Sequence, residues 1–558
     1  MRRILKISAW CVATLLAVLL LLAATVWILA VNADLKRPDI CVDATDYTLD
    51  FSLDTLRVCR GNMLYRNPYG IWEVDIKGDA VERGAVMGAM SRDLLHFQEE
   101  VFVRQIKELV PSDTYLGVLH KLMLFFNRKM ACHIPEEYRA EIAALSEFCS
   151  HDFDAFGTPY ERQLNYHAAH DIGHAMQEYM LVGCSSFAVW NEKSADSTLL
   201  IGRNFDFYMG DDFAANKLVS FVTPTSGYRY VSVGWPGMIG VVSGMNEKGL
   251  TLTINAAKGA IPTHAAMPIS LLARHILQYA ATIEEAYRIA DTCRTFVSES
   301  LLIGQAEGRC AAIIEKTPEK QALYSVREAP LICTNHYQSE AFSEDPANKE
   351  NIARSDSRYR YQRMEELISQ QAPLTPQKAA SILRNDKGLE EKSIGLTNEK
   401  SIHQYIAHHS VIFMPEQRLV WVSTSPWQSG RYLCYDLNRI FGNPDSVLFS
   451  HADNGRDIAE DSCFLENVYA KVLRYRERAA AVRKAIAQSV QLTSAYVDSL
   501  TIENPDFYEA YLLQGDCYFM KGNRLQAETA WKTALTKEIP RENQREEIEK
   551  KLRKYGKR

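Results

Sequence analysis

The 12 cysteines of this 558-residue chain are scattered singly, and no two form a C-x-x-C pair. That spacing excludes a zinc ribbon and a thioredoxin-type motif, and the density is low for a disulfide-built scaffold. At most one or two bridges, such as Cys41 with Cys59, are expected, and only in an oxidising compartment. A basic excess is missing too. The formal net charge is −6, the wrong sign for a nucleic-acid binder. The histidines lack the Glu and third ligand of a zincin. His170 and His174 lie one helical turn apart beside His167 and Asp171, and read as a polar helix face rather than a metal site. No metal and no cofactor is expected.

Charge is absent from Ile7 to Val31, directly after Arg2, Arg3 and Lys6. Crossing a bilayer takes about 20 apolar residues, whereas the apolar part of a cleavable signal has about 7–15. Length therefore favours an uncleaved signal-anchor over residues 1–33, with the basic end cytoplasmic and the remainder exported on the periplasmic or extracellular side. A cut after Ala33 is the weaker option, and no cysteine follows that would carry a lipid.

Behind this segment, residues 34–183 hold short strand-like pieces, a strand from Trp72, and helical patterning up to the run that ends at Met180. At Cys184 the hydrophobic period changes from helical to alternating. Residues 184–440 give strand candidates from Ser185 to Asn255 as an antiparallel meander. Two helices follow, then a second strand set from Glu299 to Thr334, further helices, and a hairpin turning at Pro415-Glu-Gln417. The order predicts an α+β core of two packed sheets with helices outside. Residues 441–558 read as a helical tail. Within it, Tyr508 to Leu535 resembles one tetratricopeptide (TPR) repeat, although such repeats need about three copies to stand alone. A helical pair capping the core fits the tail at least as well as a partner-binding array.

The chemistry centres on Gly183-Cys184. Only a thiolate attacks a carbonyl efficiently, and an ordinary cysteine is mostly protonated at neutral pH. An N-terminal cysteine carries its own base, an α-amine with a reference pKa of about 7.7–8.0. Cys184 is internal, so that amine has to be made by cutting the Gly183–Cys184 bond, and Gly183 permits the distorted peptide and close approach this needs. On the next strand, Arg203 can favour the thiolate and Asp206 can hold the new ammonium or accept its proton. Asn255 and Asn335, at the ends of apolar strands, can donate to an oxyanion.

Cys184, Gly202-Arg-Asn-Phe-Asp206, Gly244-Met-Asn-Glu-Lys-Gly-Leu250 and Asn255 resemble the choloylglycine hydrolase and penicillin acyltransferase group of N-terminal nucleophile (Ntn) hydrolases. Cys333-Thr-Asn-His-Tyr337 and Ser355-Asp-Ser-Arg358 resemble later motifs of the acyl-CoA:6-aminopenicillanate acyltransferase branch. The resemblance covers roughly Trp72 to Tyr435. It implies an αββα four-layer sandwich, autocatalytic cleavage before Cys184, Asn335 as the main oxyanion residue with Asn255 second, and Arg203 and Arg358 as supports. A long segment ahead of the cysteine favours the self-cleaving branch over bile-salt hydrolases, which lose only a start methionine.

These features predict a self-processing amidohydrolase or acyltransferase acting on a small linear amide: an N-acyl amino acid, a bile-acid conjugate or an acyl amide. The competing reading is a membrane-tethered TPR-like interaction protein whose core is inert and whose tail binds a protein partner. A conventional Cys–His hydrolase using His336 or His174 without cleavage is a third.

Overall fold

The computed structural model describes residues 10, 14, 17–18, 20–21, 24–30, 33, 35–110, 112–168, 171, 182–259, 265–442, 452 and 455–555. Its strands, in chain order, are β1 (Phe51–Leu53), β2 (Leu56–Cys59), β3 (Asn62–Arg66), β4 (Trp72–Gly78), β5 (Val182–Val189), β6 (Leu200–Phe207), β7 (Leu218–Pro224), β8 (Tyr230–Gly234) and β9 (Ser243–Asn246). There follow β10 (Leu250–Ala256), β11 (Glu299–Gln305), β12 (Cys310–Lys316), β13 (Gln321–Tyr324), β14 (Leu331–Cys333), β15 (Ala407–Met414), β16 (Leu419–Ser423) and β17 (Tyr432–Asp436).

They form two sheets. The larger is 11-stranded, in the order β1-β2-β3-β4-β7-β8-β9-β10-β11-β12-β13, and the smaller 6-stranded, β14-β5-β6-β15-β16-β17. Among the described strands, β4 and β7 run parallel, from Trp72–Leu218 to Gly78–Pro224, and the other strand pairs are antiparallel. The segment ahead of Cys184 therefore supplies four strands of the larger sheet as well as helices. The strands expected as one meander divide: β5 and β6 enter the small sheet, and the chain crosses to the large sheet at β7. β17 escaped the sequence reading because Tyr432–Asp436 is buried along most of its length and shows no clear alternation.

Strand alternation produces the layers. Ala188 and Ile201 face the space between the sheets, where they meet Val219, Val231 and Ile313. Their neighbours Phe187, Val189 and Leu200 face the opposite way and pack on Leu367, Ile368 and Leu383 of the helices Ser357–Gln371 and Pro376–Leu383. The far face of the large sheet is covered by the helices Ala80–Leu109, Glu136–Ser146 and Ile269–Tyr279, through Met90, Ile142, Leu272 and Ile276 packed with Ile254 and Leu301. This helix–sheet–sheet–helix order is the expected α+β sandwich. Gly84 sets one contact in the outer layer: a Cβ there would lie 2.2 Å from the Glu141 carbonyl oxygen, so the two helices touch backbone to backbone.

Two expectations are corrected. Among the described residues no helix is long and apolar enough to cross a membrane, so the fold class loses the transmembrane helix anticipated over residues 1–33. Part of that stretch lies outside the described residues. Of the rest, Ala30 and Leu35 are buried in the protein core. The Cys41–Cys59 bridge is not formed: both thiols are free, Cys41 exposed and Cys59 buried.

Beyond the sandwich, the helices Tyr469–Ala487, Ser494–Glu503, Tyr508–Met520, Arg524–Leu535 and Glu542–Tyr555 share a separate apolar core around Tyr475, Leu500, Leu513 and Trp531.

Candidate active site

Strand register places the nucleophile. β5 pairs with β6 so that Gly183 lies opposite Asp206, Cys184 opposite Phe205 and Ser186 opposite Arg203. Cys184 and Arg203 thus share the face between the sheets, and Asp206 shares the other face with Gly183. Cys184 is fully buried, and burial raises its thiol pKa while the Arg203 guanidinium opposes the rise.

Arg203 Nη2 donates to Cys184 Sγ at 3.7 Å and to the Ile254 carbonyl at 2.6 Å. Its Nη1 donates to Ser243 Oγ and, at 3.3 Å, to His409 Nε2. A guanidinium only donates, so His409 Nε2 is an acceptor. Burial holds His409 far below its usual pKa, so the ring is neutral and its Nδ1–H donates to His408 Nδ1 at 2.9 Å. Ser243 and His409 carried no sequence motif, and only the fold brings them to Arg203.

The backbone of Cys184 is held on both sides. Its N–H donates to Asn335 Oδ1 at 3.1 Å. Its carbonyl accepts from Arg360 Nη1 at 2.7 Å, and Arg360 Nη2 donates to the same Asn335 Oδ1 at 2.6 Å. Arg360 is oriented in turn by Asp356, with Nε to Oδ2 at 2.8 Å. Asn335 Nδ2 donates to the Ala256 carbonyl at 2.8 Å. Asn255 Nδ2 donates to the Cys333 carbonyl at 3.1 Å, and Asn255 Oδ1 accepts from Ser186 Oγ at 2.9 Å.

Asp206 is fully buried, and neither of its carboxylate oxygens has a hydrogen-bond partner among the described residues. Burial pushes its pKa up to about 7, against the lowering pull of Arg360 and Arg203. An unsatisfied buried carboxyl is costly. A cation delivered beside it would return it to the ionised form.

Of the residues singled out by sequence, Gly183, Cys184, Arg203, Asp206, Asn255 and Asn335 come together. Arg358 does not: it is exposed, and Arg360 occupies the site. The two stand two positions apart in the first turns of one helix, so they point to different sides. The i, i+4 pair of Asp356 with Arg360 was the signal available to distinguish them. His336 makes its contacts with Thr334 and Ser357, and burial lowers its pKa to about 4. His167 Nε2 accepts the Ile239 N–H at 3.0 Å, an interior packing role. His170 and His174 lie outside the described residues.

Residues 190–425 match the family model described as acyl-coenzyme A:6-aminopenicillanic acid acyl-transferase. This stretch of the chain is similar to that family. The matched stretch contains Arg203, Asp206, Asn255, Asn335 and Arg360 and begins just after Cys184. An uncharacterized protein from Archaeoglobus fulgidus is 24% identical over 270 residues, 46% of this chain and 45% of that protein. Protein dcd1B from Dictyostelium discoideum is 25% identical over 268 residues, 43% of this chain and 49% of that protein. The chain thus spans about half the length of these relatives. Among solved structures, penicillin V acylase from Agrobacterium tumefaciens is 16% identical, with 46% of this chain and 87% of that chain covered at a TM-score of 0.32. The Caenorhabditis elegans N-acylethanolamine-hydrolyzing acid amidase ortholog is 15% identical, with 42% and 93% covered at 0.30.

Proposed function

We propose that this chain cuts itself between Gly183 and Cys184 and then acts as an N-terminal cysteine amidohydrolase or acyltransferase on a small linear, non-peptide amide. The observation that carries this reading is the setting of Cys184: thiol beside Arg203, amide N–H on Asn335, carbonyl under Arg360, and an unpartnered carboxyl at Asp206 opposite Gly183.

In the cleavage, Cys184 Sγ bonds to the Gly183 carbonyl carbon and the Gly183–Cys184 C–N bond breaks. The thiol proton ends on the departing nitrogen, which becomes the free amine. Water then hydrolyses the Gly183 thioester, and Gly183 leaves as a carboxylate. Asp206 is suited to hold the resulting ammonium, because burial raises its pKa and neither carboxylate oxygen has a hydrogen-bond partner among the described residues.

In turnover, the Cys184 amine takes the thiol proton and Arg203 favours the thiolate. Attack on the substrate amide forms an acyl thioester and releases the amine component. Water completes hydrolysis, or a second amine completes transfer. Asn335 and, second to it, Asn255 stabilise the oxyanion. Each carboxamide nitrogen has a second N–H beyond the one now donated to a backbone carbonyl. An apolar acyl group suits the aromatic series beside Cys184, in which Phe205 stacks on Phe207 and Phe207 on Trp235.

The deciding experiment is intact mass measurement of the purified protein with an amide-hydrolysis assay. Two fragments meeting at 183/184, absent in Cys184→Ala, are expected. A single uncut chain without amidase activity would sink the reading.

A further inference from the structure

The helical tail lies wholly beyond residue 425, where the family match ends, yet one of its side chains reaches the group that holds Cys184. Arg541, just ahead of the helix Glu542–Tyr555, points into the core between two acids. Its Nε is 2.7 Å from Glu399 Oε2 and 3.9 Å from Asp356 Oδ1. Asp356 binds Arg360 through its other oxygen, and Arg360 binds the Cys184 carbonyl and Asn335 Oδ1. The side chains of Asp356 and Arg360 are only 9% and 1% exposed, so water screens this series poorly.

Glu399 also connects to the other side of the scissile bond. Its backbone carbonyl accepts from Gln404 Nε2 at 3.0 Å, and Gln404 packs on Gly183, where a Cβ would lie 3.1 Å from Gln404 Nε2. The tail grips this same loop elsewhere: Glu538 pairs with Lys392 and Lys400, Asn504 exchanges two hydrogen bonds with the Leu396 backbone, and Phe507 seats against Gly395.

We infer that Arg541 is a positioning residue for the cleavage and turnover at Cys184, acting through Asp356 and Arg360, so that the active site is complete only with the tail docked. The inference rests on the proposed role of Cys184. The physical reason is charge balance. Without the Arg541 cation, two buried carboxylates face each other, and Asp356 is driven from the geometry that orients Arg360. Arg360 then no longer fixes the Cys184 carbonyl and Asn335 together. A displacement of about 1 Å at a reacting group costs up to about 100-fold in rate.

The test compares the full chain with Arg541→Met, Arg541→Lys and the double variant Arg541→Met/Glu399→Gln. It follows fragment formation, kcat and KM on a chromogenic amide, and hydrogen exchange of segments 182–187 and 333–337. Arg541→Met should cut at least about 10-fold more slowly and lose kcat in proportion while KM stays within about twofold, with faster exchange in both segments. Arg541→Lys keeps the charge and retains most activity. Adding Glu399→Gln removes the like-charge pair and restores most of what Arg541→Met loses, a recovery that a merely structural contact would not give. Wild-type exchange in both segments of Arg541→Met, or no recovery in the double variant, overturns the inference. Should Arg541→Met fail to fold, Asp356→Asn tests the same series with the Arg541–Glu399 pair intact, and normal cutting in that variant overturns it. If the unsubstituted chain neither cuts itself nor hydrolyses amides, the functional reading fails, and the exchange measurement alone decides this one.

Discussion

Asn335 Oδ1 accepts two hydrogen bonds at once, from the Cys184 N–H at 3.1 Å and from Arg360 Nη2 at 2.6 Å. One oxygen thereby ties the nitrogen of Cys184, in the bond proposed to be cut, to the cation that holds the carbonyl of the same residue. Arg360→Met should slow both cleavage and turnover by about 100-fold, the cost of misplacing a reacting group. Arg358→Met, at an exposed position, should stay within about twofold, as surface changes usually do. Fragment formation and amide hydrolysis measured side by side check both, and an Arg358 effect as large as that of Arg360 would reverse the assignment.

Cleavage and turnover demand different things of the nucleophile. Cys184→Ala should yield one full-length chain with no activity. Cys184→Ser, a weaker nucleophile with a similar shape, should cut slowly and turn over still more slowly. Mass spectrometry over a time course, followed by assay of the cut fraction, separates the two.

Arg203 bears on the thiol rather than on the cut itself. In the mature enzyme, Arg203→Met should move the pH at which Cys184 is half-alkylated by iodoacetamide upward by about one unit, the usual scale of one neighbouring charge. An unchanged alkylation profile would remove Arg203 from the role of thiolate partner.

Asp206 gives a stability signature in the uncut chain. Its pKa is raised in the folded state from 3.8 to about 7. The stability it contributes is therefore full below the unfolded value and is lost as pH rises through about 7. In a Cys184→Ala background, Asp206→Asn, which mimics the protonated acid, should raise the melting temperature at pH 8 by about 2 °C or more and by clearly less at pH 5. Thermal melts at the two pH values decide it.

The segment before Cys184 should stay bound after cleavage. Beyond the β4–β7 ladder, Glu141 Oε2 accepts from Arg83 at 2.5 Å and from Arg274 at 2.7 Å, joining helices from both sides of the cut in a buried ion cluster. The two fragments should co-elute in native size exclusion and separate only in denaturant. Glu141→Gln, which leaves two buried guanidiniums short of charge, should cost about 3 kcal/mol or more in urea unfolding.

How much of this was legible beforehand depends on the kind of signal. The strands were readable as short apolar runs such as Phe187–Trp190 and Leu199–Ile201 bounded by turn signals, and the change of period at Cys184 marked β5, but which residues face which layer required the sheet pairing. Arg203 and Asp206 were readable as a pair, but their division between the two faces of β6 required the register with β5. Arg360 was hidden by its neighbour Arg358, since a two-residue difference on a helix is settled by which side meets Asn335. Glu399 and Arg541 were illegible for a different reason: each is an ordinary charged residue in its own segment, and only docking of the tail brings them together.

The β4–β7 ladder has one more consequence. Under the proposed cleavage, folding would occur while Gly183 and Cys184 are still joined, so the strands on either side of the bond would find each other within one molecule. Were the bond cut as proposed, the same ladder would belong to two polypeptides, and reassembly after unfolding would become a bimolecular, concentration-dependent event. The mature enzyme would then persist because it unfolds slowly, and a dilute sample that has once been denatured should not regain what the newly made chain reached unaided.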